Sequence, residues 1–584
     1  MKLIISTIIL FCCTSLVKPD VIYLDPAPDA KYVSIYNNLI IGMESPINES
    51  LLAEVNISVT GSKSGLHTGD VKLASDGKKI LFRPHIPFRT NETVTVQVSS
   101  NNNQLKFNSR KDFSYRFTTE ATRIPISGDK SLRDELGDYY RAPFELDNAE
   151  PPELTVTISN NPSPGRLFVS SYNTDPSYLI IAENNANVFW SKGFGNQTLD
   201  FKVQSNGTLT YYLTGSDKFF QMNDKYEVID SFACGNGYTT DTHEFILLPN
   251  GHSLLMAYDP QIVDMSQIVA GGDTAATVIG LIIQELDESK NVVFQWRSWD
   301  HFEITDATSL DLTSSTIDYV HGNAIDMDTD GNLLISSRHM DEITKIDRVK
   351  GSIIWRLGGI HNQFTFKNDS LGFFRQHCIR RIANGNITLF DNGNFHSPQF
   401  SRAVEYNLDE IGKTVTLVWE YRNNPTIYGF AMGSVQRLEN GNTLIGWGFT
   451  TPALSEVTPD GKVALEMKFP GNIVSYRAFK FNWDNITSTG SNSGLVPESY
   501  SLAQNYPNPF NPVTSISYSI PVAGNVSIKV YDMMGREIKS LVSEYKQAGS
   551  YNVLFDASNF ASGVYLYKLE AGSYTSSRKM VLIK

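Results

Sequence analysis

A short pattern of β structure recurs five times between residues 206 and 447, and it constrains the fold more than any other feature of the chain. Each copy places a tight Asn-Gly or Asp-Gly turn before an alternating apolar run, as in NGTLTYYL, NGHSLLMA, DGNLLISS, NGNITLFD and NGNTLIGW. Asn-Gly between alternating apolar runs is the strongest short-range signal of a β-hairpin. Strands that end in Trp or Phe follow several of the turns, among them NVVFQWRSW, SIIWRLGG and TLVWEYR.

The spacing of these turns predicts the architecture. A repeat of roughly 40–60 residues built from short strands indicates a β-propeller, in which small sheets stack around an axis. A first unit without the turn, LFVSSYN followed by YLIIAENNANVFWSK, brings the expected number of units to six. We therefore expect an all-β protein whose central part is a six-bladed β-propeller.

The segments on either side of the repeat predict further domains, since 584 residues are too many for one core. The chain starts with one lysine and a short apolar run, which is typical of a secretory signal peptide. Period-two alternation predicts small β-sandwiches at both ends, the first of them Ig-like. We expect a signal peptide, an Ig-like sandwich, a lead-in segment, the propeller, a Ser/Gly/Thr linker and a C-terminal sandwich at residues 1–19, 20–121, 122–160, 161–485, 486–497 and 498–584.

Charge and cysteine content narrow the function classes. The net charge of −13 argues against nucleic acid and anionic membrane surfaces as partners. Outside the signal segment no long apolar run predicts a membrane span, so we expect an exported, soluble chain. Cys234 and Cys378 leave a disulfide open, and no zinc-type spacing occurs. The run from Asp326 to Asp330 resembles the start of a calcium loop, but Ser337 stands where the bidentate Glu is needed, which favours an acidic hairpin turn.

Histidines carry the main functional signal. Eight of the ten lie between residues 243 and 396, and His243, His321 and His377 each precede the glycine of a predicted turn by eight to ten residues. One repeat position on successive blades lies near the propeller axis, so these imidazoles should converge there, with Arg338 pointing the same way. They are either structural groups at blade starts or parts of a site. The remaining histidines of this region are expected on loops or the surface: His252, His301, His339, His361 and His396.

Three segments make the chain resemble the bacterial arylsulfotransferase family over roughly residues 20–480. They are the sequence around His243, the run HGN…DGNLLISSR with WRLGG, and QHCIRRIANGNITLFDNG. The resemblance implies a six-bladed propeller after an N-terminal β-sandwich, and transfer of a sulfuryl group between phenols without a nucleotide donor. It places the transiently sulfated nucleophile on His377 and the other site residues on His243, His321 and Arg338. Cys378 after the nucleophile and the lack of a cysteine pair that some members carry are departures.

The chemistry implied by this resemblance suits these residue types. A sulfuryl group in transfer spreads negative charge over three oxygens, so positioning and electrostatics dominate. Neutral His377 can attack sulfur, His321 can carry the proton between phenol and phenolate, and His243 with Arg338 can bind the oxygens. The expected partners are an aryl sulfate donor and a phenolic acceptor, with neither metal nor cofactor.

The C-terminal part carries a separate resemblance. SLAQNYPNPFNPVTSISYSIP, VYDMMGREIKSL, ASGVYLYKLE and the final RKMVLIK resemble the C-terminal sorting domain of type IX secretion substrates. This resemblance implies the type IX machinery as a partner. It also implies passage across the periplasm of a Gram-negative-type envelope to the cell surface or the medium.

Two other hypotheses stay open from the sequence. One is a carbohydrate- or protein-binding propeller without catalysis, in which the histidines are structural. The other is a metal-dependent hydrolase or lyase that uses the histidine cluster. Association into a homodimer is also open.

Overall fold

Alternating apolar residues fold the start of the chain into two four-stranded sheets, with strand orders β1-β2-β6-β5 and β4-β3-β7-β8. In β7 the buried and exposed side chains alternate, as the sequence pattern predicts for a half-buried strand. The elements are β1 (Val21–Asp25), β2 (Leu39–Met43), α1 (Glu49–Leu52), β3 (Val55–Gly61), β4 (Gly65–His67), β5 (Gly69–Leu73), β6 (Lys79–Pro84), β7 (Thr93–Ser100) and β8 (Asp112–Thr118).

The computed structural model describes residues 20–101, 107–108, 110–125, 144–145, 150–483, 500–502, 504–505, 508–546, 549–558, 560–572 and 574–583. The expected signal peptide, much of the lead-in segment and the expected linker lie outside the described residues.

Residues 144–483 continue as short strands joined by turns and four single-turn 3-10 helices among the described residues. The first strands are β9 (Phe144–Glu145), β10 (Thr155–Ser159), β11 (Arg166–Ser170), β12 (Thr174–Asp175), β13 (Ser177–Ala182), β14 (Val188–Phe194), β15 (Thr198–Val203), β16 (Leu209–Leu213), β17 (Lys218–Met222), β18 (Val228–Phe232), β19 (Thr239–Leu247), β20 (Ser253–Val263), β21 (Ala276–Leu286), β22 (Val292–Arg297) and β23 (Thr316–Asp318). The next are β24 (Gly322–Met327), β25 (Leu333–Ser337), β26 (Glu342–Ile346), β27 (Ile353–Gly358), β28 (Thr365–Lys367), β29 (His377–Arg381), β30 (Ile387–Asp391), β31 (Arg402–Asp409), β32 (Thr414–Tyr421), β33 (Ser434–Arg437), β34 (Thr443–Gly446), β35 (Leu454–Val457), β36 (Val463–Lys468) and β37 (Ala478–Phe481). The 3-10 helices are Met265–Gln267, Ser298–Asp300, Ile304–Asp306 and Arg338–Met340.

These strands form successive antiparallel sheets of four, several with one added edge strand. The orders are β14-β13-β11-β37, β15-β16-β17-β18, β19-β20-β21-β22, β24-β25-β26-β27, β28-β32-β31-β30-β29 and β10-β36-β35-β34-β33. The expectation of an all-β chain is therefore confirmed. The sheet of β37 and the sheet of β10 each join the start of this region to its end, because β11 pairs with β37 and β10 with β36.

The predicted hairpin turns are present. The five turn glycines have positive φ angles, a conformation that Gly adopts without the steric penalty of a Cβ. Their values are 78° for Gly207, 82° for Gly251, 82° for Gly331, 86° for Gly385 and 89° for Gly441.

The first strands of neighbouring sheets, together with β37, the last strand of the sheet that contains β11, lie beside one another. Contacts link β15 to β19, β19 to β24, β24 to β29, β29 to β33, β33 to β37 and β37 to β15. Residues on these strands, and at their ends, therefore meet around one axis.

The N-terminal sheets pack against the outer strand β22. Tyr23 donates its hydroxyl to the carbonyl of Gln295 at 2.6 Å, and its ring stacks on Phe294 with centroids 5.4 Å apart. The buried Arg297 guanidinium donates to the carbonyl of Lys31 at 2.6 Å. Residues 23 and 31 are thus bonded to the sheet of β19 to β22.

The C-terminal unit, residues 484–584, has its own apolar core. Its sheets run β38-β39-β42 and β41-β40-β43-β44. The strands are β38 (Ser501–Leu502), β39 (Val513–Ile520), β40 (Gly524–Tyr531), β41 (Glu537–Lys546), β42 (Gly549–Asp556), β43 (Gly563–Ala571) and β44 (Tyr574–Leu582). Among the described residues, no helix has the length and apolar character needed to cross a membrane.

Candidate active site

The three histidines singled out by their repeat position lie on, or immediately before, the first strands of three consecutive sheets. His243 is within β19, His321 immediately precedes β24, and His377 opens β29. All three side chains are fully buried. The structure thus places all three at or beside the sheet edges where β19, β24 and β29 contact one another.

His243 is held by a carboxylate and faces a second imidazole. Its Nδ1 lies 2.8 Å from Oδ1 of Asp241. Because the carboxylate only accepts, Nδ1 carries the hydrogen, and Nε2 makes no hydrogen bond to any described residue. The His243 ring lies 5.2 Å from the ring of His321 and 5.7 Å from that of Tyr476.

Asp318 orients His321 twice. One carboxylate oxygen accepts the backbone N–H of His321 at 3.1 Å, and the other lies 2.8 Å from its Nδ1. Tyr258 secures the next peptide by donating its hydroxyl to the carbonyl of Gly322 at 2.9 Å. The ring of His321 is therefore fixed with Nδ1 toward the carboxylate of Asp318.

His377 is held as one tautomer by an amide. Its Nδ1 lies 2.7 Å from Oδ1 of Asn392 and 3.1 Å from the carbonyl of Arg375. Both nitrogen hydrogens of Asn392 are used, because Nδ2 donates to the carbonyls of Gly429 at 2.7 Å and Met432 at 3.0 Å. The amide oxygen therefore faces His377, Nδ1 carries the hydrogen, and the lone pair of the neutral ring is on Nε2.

Hydrogen bonds made by the two residues before His377 connect it to the other predicted residues. Arg375 donates from Nη1 to the carbonyl of Arg338 at 3.1 Å. Asn323, in β24, donates its amide to the carbonyl of Gln376 at 2.7 Å. The Arg375 side chain and the Gln376 carbonyl, just before His377, are thus bonded to Arg338 and to the strand that follows His321.

Residues 429–432 form a backbone segment that contacts both Arg338 and Asn392, the partner of His377. Arg338 is buried at 6% exposure and donates from Nη2 to the carbonyl of Phe430 at 3.1 Å. Asn392, the partner of His377, donates to the carbonyls on either side of Phe430, those of Gly429 and Met432. The arginine and the imidazole are therefore anchored to one short stretch of backbone.

Five non-glycine residues at or next to the site side chains have left-handed backbone. Non-glycine residues pay about 1–3 kcal/mol for this conformation, and such residues gather at functional sites. The φ angles are 50° for His321, 50° for Asp341, 56° for Arg375, 58° for Cys378 and 62° for Met432.

His339 corrects one expectation from the sequence, which placed it on a loop or the surface. It is half-buried, and its ring lies 4.6 Å from that of His321, so it extends the row of imidazoles that starts at His243. His396 is likewise buried rather than exposed, with Nε2 2.8 Å from Asp391 Oδ2. His301 and His361 are exposed, as expected.

Sequence reasoning also missed the residues that orient the imidazoles. Asp241 and Asp318 stand two and three residues before their histidines, so the short spacing of an acid before a histidine was a readable signal. Asn392 lies 15 residues after His377 and reaches it only because β29 and β30 form a hairpin.

A buried ion network begins at the residue after His243. The Glu244 carboxylate binds the Lys202 ammonium, Arg380 Nη2 at 2.7 Å and Arg477 Nη1 at 3.0 Å. Asp200 adds a second carboxylate, 2.8 Å from Arg477 Nη1 and 2.7 Å from Lys202 Nζ. Burial raises the pKa of the Glu244 carboxyl, but Arg380, Arg477 and Lys202 outweigh burial and hold this pKa well below its usual range.

Two groups of side chains are candidates for metal binding, and the first includes His321. Asp318, His321 and His339 bring one possible ligand atom each within 4.8 Å of one another. Arg338 Nη1 lies 3.0 Å from Nε2 of His339, and a guanidinium so close opposes a cation there.

At the acidic turn, cations already neutralise the carboxylates. Asp328 binds Arg381 Nε at 2.8 Å and Lys345 Nζ at 2.9 Å, and Asp330 binds the same lysine at 2.7 Å. The stretch is the hairpin turn between β24 and β25.

Cys234 and Cys378 are free thiols in the described structure. Cys378 is buried, and Cys234 is half-buried with Sγ 3.3 Å from the carbonyl of Met256. Burial raises the pKa of the Cys234 thiol well above its usual range.

Sequence models of three known families together match most of the chain. The sequence model of the arylsulfotransferase (ASST) family matches residues 155–477. That of the secretion system C-terminal sorting domain matches residues 504–584, and that of the bacterial Ig-like domain matches residues 17–119.

A curated relative and several solved structures are also similar. The arylsulfate sulfotransferase AssT of Escherichia coli O6:H1 (strain CFT073) is 24% identical over 310 residues, which is 41% of this chain and 50% of the relative. The matched region thus spans about half the length of that relative. A protein of unknown function from Bacteroides caccae is 16% identical with a TM-score of 0.36, over 55% of this chain and 99% of that one. Virginiamycin B lyase from Staphylococcus aureus is 11% identical with a TM-score of 0.28, over 54% of this chain and 87% of that one.

The family match covers more than half of the chain and contains all four predicted site residues. It confirms the resemblance drawn from the segments around His243, His321 and His377, and the C-terminal match confirms the resemblance to a secretion sorting domain. The chain belongs to the arylsulfotransferase family and ends in a secretion sorting domain.

Proposed function

We propose that the protein transfers a sulfuryl group from a phenolic sulfate ester to a phenol through a sulfated His377. The observation that carries the proposal is the tautomer of His377. Asn392 and the carbonyl of Arg375 take the Nδ1 hydrogen, which leaves a lone pair on Nε2 of the neutral ring. A buried, neutral imidazole with one fixed lone pair is prepared to act as a nucleophile.

In the first step, Nε2 of His377 attacks sulfur and the sulfur–oxygen bond to the aryl group breaks. The electron pair of that bond leaves with the phenolate, which takes a proton from His321. In the second step the acceptor phenol gives its proton to His321, its oxygen attacks sulfur, and the nitrogen–sulfur bond breaks. The sequence restores neutral His377 and protonated His321, so atoms and charges balance.

Asp318 suits His321 for this proton transfer. A carboxylate on Nδ1 favours the imidazolium form, and an imidazole with a pKa near neutrality can both give and take a proton. Asp241 orients the ring of His243, which binds the sulfuryl oxygens together with Arg338. No step requires a metal or a cofactor.

The sheets of residues 155–481 form the six blades of a propeller in this proposal. The ring of contacts between the first strands of consecutive sheets supports it, as do the pairings β11–β37 and β10–β36 across the two ends. Small sandwiches flank the propeller at residues 20–121 and 498–584. The C-terminal sorting domain directs export to the cell surface or the medium through type IX machinery.

Mass spectrometry tests the covalent intermediate directly. After a brief incubation with p-nitrophenyl sulfate, the peptide containing His377 should gain one sulfuryl group, in an acid-labile and alkali-stable bond. Addition of phenol should discharge it as phenyl sulfate. A chain that neither turns over aryl sulfates nor forms this adduct would support the non-catalytic hypothesis. Loss of turnover on exhaustive chelation would favour a metal-dependent reaction.

Arg338→Leu is expected to lower kcat for the transfer by about 10²- to 10³-fold, the usual effect of losing one fixed donor to a developing charge. Arg338→Lys keeps the positive charge but lacks the planar guanidinium, so its kcat should lie between that of Arg338→Leu and that of the wild type. Initial rates of nitrophenol release in the presence of phenol measure both. Arg422→Leu is the matched control, because Arg422 is partly exposed and bound to Glu420. Equal rates for Arg338→Leu and Arg422→Leu would remove Arg338 from the mechanism.

A further inference from the structure

His339 connects the imidazole that we assign to proton transfer with the arginine that we assign to sulfuryl binding. Its ring lies 4.6 Å from that of His321. Its Nε2 lies 3.0 Å from Nη1 of Arg338, and its Nδ1 lies 2.5 Å from the carbonyl oxygen of Asp318. The repeat pattern does not mark this residue, and the proposed reaction does not use it.

The partners of His339 determine its protonation. The carbonyl of Asp318 only accepts, so Nδ1 must carry a hydrogen. The guanidinium of Arg338 only donates, so Nε2 must accept and carry none. Both contacts can exist together only in the neutral Nδ1–H tautomer of His339.

The charges around His339 stabilise this neutral form. Burial lowers the pKa of the ring, and the neighbouring His321, Arg375 and Arg338 lower it further, to well below its ordinary value. The hydrogen bond to the carbonyl of Asp318 acts in the opposite direction and is outweighed. Three cationic or potentially cationic groups thus face one imidazole that accepts a hydrogen bond.

Asp318 ties this arrangement to His321. Its carboxylate binds Nδ1 of His321 at 2.8 Å, while its carbonyl accepts from Nδ1 of His339. One residue therefore orients both imidazoles, and through His339 it also affects the guanidinium of Arg338.

We propose that His339 is a positioning residue, whose neutral Nε2 holds the guanidinium of Arg338 in place for the sulfuryl oxygens. The inference rests on the proposed function and deepens it. The carbonyl of Phe430 contacts Nη2 and His339 contacts Nη1, so these two anchors of the planar group lie on different parts of the chain. Losing one anchor leaves the charge present but lets the fork rotate, and small misplacements of such groups cost up to about 100-fold in rate.

Conservative variants separate positioning from simple packing. His339→Gln can keep an acceptor oxygen near the position of Nε2, whereas His339→Leu removes it. We expect kcat/KM for transfer from p-nitrophenyl sulfate to phenol to fall about 10- to 100-fold in the leucine variant and less than about 5-fold in the glutamine variant. His361→Leu, which removes an exposed imidazole, is the control and should match the wild type.

A double-mutant cycle shows whether His339 acts through Arg338. In the Arg338→Leu background, His339→Leu should change kcat/KM by less than about twofold, because the group that it holds is already gone. The inference would be overturned if the losses in kcat/KM from Arg338→Leu and His339→Leu multiplied in the double variant. It would also be overturned if His339→Leu and His339→Gln lost equal amounts of kcat/KM.

Crystal structures of the two His339 variants give an answer that does not depend on turnover. The Arg338 guanidinium should leave its position in His339→Leu and keep it in His339→Gln. An unmoved guanidinium in the leucine variant would overturn the positioning role, whatever the kinetics. A wild type that transfers no sulfuryl group would refute the proposed function alone, and the two structures would still decide the role of His339.

Discussion

Replacing His377 by asparagine is expected to lower the rate of sulfuryl transfer by about four orders of magnitude, because the reaction loses its covalent route. Asparagine retains a polar group near Nδ1 that can meet Asn392, but it has no counterpart of Nε2 to attack sulfur. The variant should also gain no sulfuryl group on incubation with p-nitrophenyl sulfate. Stopped assays of phenyl sulfate formation and mass spectrometry of the intact chain measure the two effects.

His252→Asn is the matched control for this prediction. His252 lies in the turn between β19 and β20, where its Nδ1 is 2.6 Å from Glu285, and it contacts none of the site residues among the described contacts. Full turnover in His377→Asn would refute the nucleophile, whereas equal losses in both variants would point to damaged folding. Retained binding of phenyl sulfate to His377→Asn would show that the site itself is intact.

The regular part of the fold could be read from the sequence because its signals are local. The Asn-Gly turn at Gly207 and the alternation after it lie within a dozen residues, and the same holds at Gly385. The added edge strands carry no such signal. β10 joins β36 across some 300 residues of chain, and β28 runs parallel to β32, so neither pairing leaves a pattern near itself.

For the candidate site, too, only the regular features could be predicted from the sequence. Repeat position alone marked His243, His321 and His377, which the structure places on or immediately before the first strands of consecutive sheets. Their orienting partners follow no repeat. Asp318 ends the short strand β23, which pairs with β21, and from there it contacts both His321 and His339. His339 stands one residue beyond Arg338, and only the 3-10 turn there places its ring beside His321.

The ion network at Glu244 should dominate the stability of the central sheets. Glu244→Gln keeps the shape of the side chain but removes the carboxylate that binds Arg380, and it leaves Lys202 and Arg477 with Asp200 alone in this network. Removing one partner from a buried network leaves uncompensated charge, which typically costs about 3–5 kcal/mol of the free energy of unfolding.

Tryptophan fluorescence isolates this effect in the full-length chain. All seven tryptophans lie between residues 190 and 483, so urea unfolding followed by their emission reports the central sheets and neither terminal domain. The midpoint should fall clearly in Glu244→Gln and stay unchanged in Asp460→Asn, which alters an exposed ion pair with Lys462. An unchanged midpoint for Glu244→Gln would mean that the network contributes no net stability.

The pH dependence of unfolding gives the same network a second test. The pKa of Glu244 is lower in the folded protein than the ordinary value of about 4.3 in the unfolded chain. The folded state therefore binds fewer protons at this group, and its contribution to stability is fully present above that unfolded pKa. It is lost as the pH falls from about 5 toward the depressed folded pKa. In Glu244→Gln this part of the acid destabilisation should be absent, so the wild type and the variant should converge in unfolding midpoint as the pH is lowered.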